Sequence, residues 1–406
     1  MRNSDRISWR WVAVTVFVFS AVLNYLDRQV LATMVDIWRT RPEFPFDYSD
    51  YGLLLSTFSL AYALSAPFMG WFIDRVGLNR GMTISVALWS LTSIATGFAR
   101  GFNQILACRT VLGVVEASGI SALGKLNGLY LLPKERAVGA AMGQLGLSIG
   151  AGVAPAMATY FAYQHNWRWS FYAAGILGLI WIPVWLFTAR AIPPGVEESR
   201  QVLKKQQPLA LLKDSRLWAL MGANCLGMTF YSLWTNWTPT YLVQMHHLTP
   251  QIAAHYSWIV PVAGYAGAFL GGSLSWKLIS RGWGAAEARK RICLVSAFVV
   301  LLSAGIPLLT SPAWATLGMS LSFFWISAWS TNLYTLPVDI YGAGSAASGV
   351  SALVFAYGAM QTVVSRPIGV IIERHGFRPV LWTFALLPLL ACWLLQRFVR
   401  EETEAA

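Results

Sequence analysis

The chain has 406 residues, a mean hydropathy of +0.52, 56% hydrophobic residues and only 12% charged residues. Soluble domains carry about a quarter charged residues, so this composition excludes an ordinary soluble protein. It also excludes a disordered chain, which lacks apolar content, and 4 cysteines are too few for a disulfide scaffold. The composition therefore predicts an integral membrane protein.

Apolar runs long enough to cross a bilayer, which takes about 20 residues per helix, follow one another along the whole chain. They predict an all-α membrane protein with twelve transmembrane helices. The runs cover residues 11–34, 51–73, 82–99, 102–130, 137–163, 170–189, 217–245, 252–275, 292–310, 313–337, 346–371 and 379–396.

The longest polar interruption, residues 190–216, separates the first six runs from the last six. It predicts an N-terminal six-helix bundle over 1–189, a cytoplasmic linker over 190–216 and a C-terminal six-helix bundle over 217–406. A weak internal repeat supports two related halves: "GWFIDRVGLNR" follows the second run and "GSLSWKLISRGW" follows the eighth. Such an outline is typical of a transporter whose substrate site lies between the halves near mid-membrane.

The net charge of +12 is distributed asymmetrically. With the N-terminus inside, twenty Lys and Arg residues fall in inner segments and six in outer segments. Because positive residues collect on the cytoplasmic side, both termini are expected in the cytoplasm. The location expected is a bacterial inner membrane. The excess of Lys and Arg thus indicates the orientation of the chain in the membrane and not nucleic-acid binding.

Four charged residues lie deep in two predicted helices: Asp27 and Arg28 in the first, Arg109 and Glu116 in the fourth. A central charge costs at least ~2.5–3.5 kcal/mol on insertion scales, so each needs a partner, water or a task. Arg109 and Glu116 are two turns apart and share a face, whereas adjacent Asp27 and Arg28 point about 100° apart.

Two interpretations of these charges stay open. In the structural one, they form two buried ion pairs that only lock the first helix to the fourth. In the functional one, which we favour because buried pairs stabilise weakly, an arriving anion takes an Arg from its carboxylate, which then holds a proton. All five His fall on the predicted outer side, so carboxylates are the plausible proton carriers. Lys125 and Arg366 lie nearer helix ends and are expected to extend toward the interface.

Polar and aromatic side chains at mid-helix complete a candidate site. Each alone suits a packing role, but together with two Arg they suit a small polyhydroxylated acid. They are Asn24, Tyr25, Tyr62, Gln144, Tyr231, Asn236, Trp329, Ser330 and Asn332.

The segments "NYLDR", "GWFIDRVGLNR", "CRTVLGVVEA" and "LPKERAVGAAMGQLGLSIG" resemble the major facilitator superfamily. The paired charges of the first and fourth helices resemble, more narrowly, the anion:cation symporter family of hexonate, hexuronate and sialin-type transporters. The resemblance implies the major facilitator fold, with Asp27 and Glu116 as the protonatable pair. It also implies that Arg28 engages the substrate carboxylate and that Arg109 regulates Glu116.

The same resemblance implies substrate contacts and a cytoplasmic latch between helices. The second half departs from the family, because residues 348–361 contain no Asn and Trp276 stands where the first repeat has Asp74. A more apolar second-half site and a weaker second latch are therefore expected. The implied substrate contacts are Tyr25, Tyr62, Gln144, Asn236, Trp329 and Asn332, and the implied latch residues are Gly70, Asp74, Arg75, Gly77 and Arg80.

These features together predict a monomeric, proton-coupled symporter of an organic anion, most simply a sugar acid, working by alternating access in the lipid bilayer. Protons are the coupling ion and no cofactor is expected. The nearest alternative is an antiporter of phosphorylated or dicarboxylate anions, which should carry a deep basic residue in helices seven, eight or ten. An enzyme is disfavoured because there is no HExxH, P-loop or His-rich helix. A sensor is disfavoured because the loops are too short for an output domain.

Overall fold

The computed structural model describes residues 3–39, 46–131, 136–191 and 211–399. Within those ranges the chain is almost entirely helical and has no strand. The all-α prediction is therefore confirmed. The helices are α1 (Asn3–Arg39), α2 (Tyr48–Val76), α3 (Leu78–Gly97), α4 (Phe102–Glu116), α5 (Ser118–Tyr130), α6 (Arg136–Gln164), α7 (Arg168–Ala191), α8 (Ser215–His246), α9 (Pro250–Ser257), α10 (Ile259–Ile279), α11 (Ala285–Leu301), a 3-10 helix (Leu302–Leu308), α12 (Pro312–His375) and α13 (Phe377–Phe398).

The fourth predicted run forms two helices instead of one. Helix α4 ends at Glu116, and α5 begins at Ser118 after a single intervening residue, Ala117. The Ser118 hydroxyl donates to the Val115 carbonyl at 2.9 Å, and such side-chain bonds compete with the helical ladder. The break places Glu116 at the C-terminal end of α4.

The tenth and eleventh predicted runs lie in one helical stretch, α12, which folds back on itself. A Cβ added at Gly349 would lie 2.8 Å from the Cβ of Pro337, whereas twelve residues of straight helix span about 18 Å. Asn224 on α8 donates to the Leu353 carbonyl at 2.7 Å and to the Tyr334 hydroxyl at 3.4 Å. Residues 312–341, the first arm, therefore lie alongside residues 349–375, the second arm.

The chain divides into two compact units. Unit 1 comprises Met1–Gln201 and Thr249–Trp258, and unit 2 comprises Val202–Leu248 and Ile259–Ala406. Most of the predicted linker, residues 192–210, lies outside the described residues. The domain limits proposed from the sequence remain a prediction.

Close backbone approach brings α6 against α1 in unit 1. A Cβ at Gly150 would lie 3.0 Å from the Leu26 amide nitrogen and would also meet the Val22 carbonyl. A Cβ at Gly146 would lie 3.1 Å from the Val18 carbonyl. Small residues permit such packing between membrane helices, and here they hold the α1 segment that carries Asp27.

Eight helical segments among the described residues are long and apolar enough to cross a membrane. Large apolar side chains such as Phe187 and Val363 are exposed, at 77% and 71%. Large exposed apolar surfaces mark contact with lipid or a partner. The protein is therefore an integral membrane protein, as its composition predicted.

Candidate substrate and proton site

Helix α1 directs its two adjacent charges toward different neighbours. Ser93 of α3 donates to Asp27, while Glu116 of α4 accepts from Arg28. Successive residues of an α-helix point about 100° apart, so one helix supplies both contacts. The expected divergence of the two side chains is thus observed.

Arg28 and Glu116 form an ion pair between α1 and α4. Arg28 Nε donates to Glu116 Oε2 at 2.9 Å, and Arg28 Nη2 lies 2.8 Å from the same oxygen. Arg28 Nη2 also donates to Asn24 Oδ1 at 3.4 Å. The Arg28 side chain is 23% exposed, whereas the Glu116 side chain is fully buried. The cation can therefore be approached from one side while its carboxylate is shielded.

Three aromatic rings surround the Arg28 guanidinium. Its Cζ atom lies 5.2 Å from the ring centroid of Tyr25, 4.7 Å from that of Phe58 and 5.0 Å from that of Tyr62. Cation–π contacts at these distances attract a cation to the faces of aromatic rings, while the Arg28 N–H groups bind the Glu116 carboxylate. The structure thus brings Tyr25 and Tyr62, two predicted substrate contacts, to Arg28.

Asp27 is 3% exposed and accepts a hydrogen bond from Ser93. Ser93 Oγ lies 2.6 Å from Asp27 Oδ1 and 3.1 Å from the Phe171 carbonyl oxygen. Asp27 Oδ2 is buried and has no hydrogen-bond partner among the described residues. Since a hydroxyl has one hydrogen, Ser93 can donate to the carboxylate or to the carbonyl, but not fully to both.

Arg109 lies two turns before Glu116 on α4 and is 2% exposed. Its Cζ lies 5.8 Å from the Phe171 ring centroid, and its buried Nε has no hydrogen-bond partner in the described part of the chain. Asp27 and Glu116 interact with it electrostatically. Arg109 is therefore a buried cation on the helix that carries Glu116, and its regulation of Glu116 stays a prediction.

Gly113, between Arg109 and Glu116, lets α4 touch α2. A Cβ at Gly113 would lie 3.1 Å from the Ala61 Cβ and 2.5 Å from the Phe58 carbonyl oxygen. The close approach brings Phe58 and Tyr62 of α2 over the α4 face that carries Glu116. A side chain at this position would displace the rings that enclose Arg28.

The other four predicted substrate contacts differ in burial: one is exposed and three are buried. Gln144 is exposed on α6. Trp329 and Asn332 are completely buried, and Asn332 Nδ2 donates to the Gly271 carbonyl at 3.1 Å, which joins α12 to α10. Asn236 is 9% exposed and donates to the Ser232 carbonyl at 2.9 Å. Contact of these four side chains with substrate stays a prediction.

The predicted latch lies where α2 ends and α3 begins. Gly77 separates them with φ +90° and ψ 153°, a backbone conformation that is essentially restricted to glycine. Arg75 is exposed with its Cζ 5.3 Å from the Trp71 ring centroid, and Arg80 is also exposed. A Cβ at Gly70 would lie 3.3 Å from Ser121 Oγ of α5. The Asp74 side chain lies outside the described part of the chain.

Lys125 contributes to this region instead of only reaching the interface. Its Nζ donates to the Ile73 carbonyl at 3.3 Å, which joins α5 to the end of α2. In unit 2, Trp276 is 70% exposed, while Arg289 and Asp339 form an ion pair between α11 and α12. A charged link between helix ends therefore exists in unit 2 outside the repeat segment.

A family model described as "Major Facilitator Superfamily" matches residues 17–365. The chain belongs to the Major Facilitator Superfamily. This membership confirms the expected family and the prediction of a transporter over an enzyme. The match also covers the four charged residues Asp27, Arg28, Arg109 and Glu116 of α1 and α4.

Relatives of this superfamily member include transporters of sugar acids. It is 25% identical to the hexuronate transporter of Escherichia coli K12, over 95% of this chain and 93% of the relative. It is 22% identical to the D-galactonate transporter of E. coli O6:H1, over 92% and 91%. The Drosophila melanogaster protein spinster is 28% identical over 74% of this chain and 50% of its own length.

Two solved transporters show the same major facilitator fold. A bacterial homolog of the human lysosomal transporter Spinster matches with a TM-score of 0.73 and 19% identity, covering 96% of this chain and 95% of its own. The nucleoside transporter NupG, solved as a point mutant, matches with a TM-score of 0.73 and 13% identity, covering 96% and 99%. At these identities the likeness establishes the fold alone.

Several residues at the site of this superfamily member were not predicted from its sequence. Ser93 and Phe58 are an ordinary serine and phenylalanine in apolar helices, and nothing in the sequence marks them as partners of Asp27 and Arg28. Asp36 is different: it is 4% exposed, accepts from the Tyr48 hydroxyl at 3.0 Å, and lies nine residues after Asp27 in the same apolar helix. The criterion that selected Asp27 could also have selected Asp36.

Proposed function

We propose that this transporter is a proton-coupled symporter that imports a sugar acid by alternating access. The observation that carries the proposal is the Arg28–Glu116 pair inside its aromatic enclosure. The guanidinium is partly exposed and the carboxylate is not. An entering anion can therefore reach Arg28 and compete with Glu116 for it.

The competition couples the anion to a proton. If a substrate carboxylate takes the Arg28 N–H groups, Glu116 is left in a shielded position without its closest cation. An unpaired buried charge is costly, and a carboxylate removes that cost by accepting a proton. Glu116 Oε1 already lacks a hydrogen-bond partner within the described ranges. Loss of the Arg28 bond to Oε2 would therefore leave the ionised carboxylate with neither oxygen paired to a described residue. Substrate binding thus favours proton uptake at Glu116, with Arg109 modulating the balance.

Asp27 is proposed as the second proton carrier. When Asp27 is ionised, Ser93 donates to it; when Asp27 is protonated, it can donate to Ser93 Oγ while Ser93 donates to the Phe171 carbonyl. Both arrangements use distances already present, 2.6 and 3.1 Å. The pair can accommodate either charge state without moving a helix.

The substrate class is supported by chemistry and by relatives. A partly exposed guanidinium with tyrosines around it suits a monocarboxylate that also carries hydroxyl groups. The relatives named as hexuronate, galacturonate and D-galactonate transporters fit this description. Further substrate contacts are proposed at Gln144, Asn236, Trp329 and Asn332.

Energetically, two protons per monoanion would carry one net positive charge inward. The membrane potential would then assist uptake by about 2.3 kcal/mol per 100 mV. We propose a monomer in a bacterial inner membrane with both termini in the cytoplasm, in accord with the distribution of Lys and Arg in the sequence.

The test uses purified protein in proteoliposomes with radiolabelled D-galacturonate or D-galactonate. We expect accumulation driven by an acidic exterior and increased by an interior-negative potential. Uptake that does not depend on the proton gradient but is stimulated by unlabelled anion inside the vesicles would instead support an anion antiporter. Potential-insensitive uptake of a monoanion would contradict the two-proton stoichiometry.

A further inference from the structure

The second repeat segment, which has Trp276 where the first repeat has Asp74, is exposed at the end of α10 in unit 2. Trp276 is 70% exposed and Trp283 is 43% exposed. Lys277 and Arg281 lie between them in the chain and are also exposed. We call Trp276, Lys277, Arg281 and Trp283 the hairpin patch, because they lie where α10 connects to α11. The proposed transport cycle uses none of these four side chains.

Helix α10 packs on α12 through one face and leaves the opposite face uncovered. A Cβ added at Gly271 would lie 2.6 Å from the Ala328 Cβ, so the glycine side of α10 is in contact with α12. Phe269 on the other side is 65% exposed. Trp276 follows Phe269 by seven residues, which is two helical turns, and so continues the same face. The hairpin patch therefore lies at the end of an exposed apolar helix face, the kind of surface that contacts lipid.

The hairpin patch lies between two segments that are long and apolar enough to cross a membrane. The first segment is Pro250–Ile279 and the second is Ala285–Leu308. The short turn between them is closed by the Trp283 amide, which donates to the Leu278 carbonyl at 3.2 Å. Tryptophan is enriched at the boundary between hydrocarbon and headgroups. The position of the patch in the chain therefore places it at the headgroup level of a bilayer.

Lys277 and Arg281 give the patch two positive charges. Residues four apart on a helical surface are neighbours, with Cβ atoms about 5–6 Å apart, so one phosphate group can reach both cations. Neither cation forms an ion pair with a described residue. Glu287, the next acidic residue along the chain, already lies 2.8 Å from Lys290. Both charges are therefore available to an anion from outside the protein.

We propose that the hairpin patch binds the headgroup of an anionic phospholipid, in the leaflet that is cytoplasmic in the proposed orientation. Lys277 and Arg281 bind the phosphate, and the two tryptophans lie at the level of the glycerol backbone. The acyl chains lie along the exposed face of α10. A lipid fits this surface better than a soluble anion, because the two cations adjoin an apolar helix face. The site is independent of which acid the protein transports.

The experiment measures lipid binding to the full-length protein in detergent by native mass spectrometry. The probes are phosphatidylglycerol, which is anionic, and phosphatidylcholine, which is zwitterionic, with identical acyl chains. Wild type should bind the first phosphatidylglycerol about tenfold or more tightly than phosphatidylcholine, since each surface cation contributes about fivefold. In the double variant Lys277→Gln, Arg281→Gln the preference should fall to about twofold or less. A wild-type preference in this variant would overturn the inference.

A matched double variant controls for the loss of charge itself. Arg374→Gln, Arg378→Gln removes two exposed cations with the same sequence spacing where α12 meets α13, and it should keep the wild-type preference. Equal losses in both double variants would show that total charge and not the patch selects the lipid, which would overturn the inference. Arg281→Gln alone should lose about fivefold and serves if the patch double variant does not fold.

Two further measurements distinguish a lipid from other occupants of the patch. Soluble sn-glycerol 3-phosphate at hundredfold excess should not displace phosphatidylglycerol, because it has no acyl chains to cover the face of α10. Displacement would show a general anion site and overturn the assignment to a lipid. The same spectra report the oligomeric state, and a dimer that binds no phosphatidylglycerol would show that a second copy of the chain covers the patch instead.

Discussion

Ser93 Oγ lies 2.6 Å from Asp27 Oδ1, so a neutral hydroxyl on α3 is a hydrogen-bond donor to the buried carboxylate of α1. The same oxygen lies 3.1 Å from the Phe171 carbonyl of α7. Three helices thus meet at one hydroxyl hydrogen. If Asp27 carries a transported proton, this hydrogen changes partner in each cycle.

Substituting Ser93→Ala should slow proton-driven uptake of D-galactonate about tenfold, because ionised Asp27 loses its donor. Counterflow exchange at equal pH should fall much less, since it needs no net proton transfer. The matched control is Ser90→Ala on the same helix, whose buried hydroxyl has no hydrogen-bond partner among the residues that the structure describes. Equal losses in both assays would indicate a structural defect instead of a coupling defect.

Removing either carboxylate should abolish accumulation against a gradient. Asp27→Asn and Glu116→Gln keep the shape of each side chain but cannot carry a proton, and we expect counterflow to persist in one of them. The control is Glu287→Gln, an acidic residue that is 55% exposed and should transport normally. Proteoliposome uptake with and without a pH gradient separates the two activities. Wild-type accumulation by an Asp27→Asn, Glu116→Gln double variant would contradict the coupling scheme.

The charged residues of the site could be predicted from the sequence because charged residues are rare and costly in membrane-spanning helices. Asp27, Arg28, Arg109 and Glu116 stand out in apolar runs, and helical spacing indicates which of them share a face. Their partners were not predictable by the same logic. Which helix lies opposite Asp27 depends on tertiary packing, so Ser93 on α3 could not be distinguished from other serines.

The glycines of α6 likewise did not indicate which helix they pack against. The run of small residues in α6 predicted close packing but not its partner, which the contacts of Gly150 with Leu26 and Val22 identify as α1. The hydrogen bond from Gln361 of α12 to Ser232 of α8 could not be predicted for a further reason. Gln361 and Ser232 are 129 residues apart, and neither is unusual in its own helix.

Gly77 should resist substitution because of its backbone conformation. Its φ of +90° with ψ of 153° is strained for any residue with a Cβ, so Gly77→Ala should lower stability by about 1–3 kcal/mol. Apart from Gly77 and its two chain neighbours, no described residue has an atom within 4 Å of the added Cβ, so strain and not a clash is the expected cause. Gly119→Ala is the control, because its Cβ also meets nothing within 4 Å in the described ranges and its φ is not positive. Thermal unfolding in detergent should separate the two variants, and equal midpoints would contradict the strain argument.

Adding Glu116→Gln to Arg28→Ala should restore thermal stability but not substrate binding. Arg28→Ala leaves Glu116 buried without its cation, and breaking a buried pair costs about 3 kcal/mol at the lower end of the usual range; the lower end applies because Arg28 is partly exposed. Adding Glu116→Gln to Arg28→Ala removes the stranded charge, so it should restore much of the lost thermal stability. It should not restore D-galactonate binding, because the guanidinium that holds the carboxylate is still absent. Thermal midpoints with and without D-galactonate measure both effects in one experiment. Recovery of ligand-induced stabilisation in the double variant would show that Arg28 holds Glu116 and not the substrate.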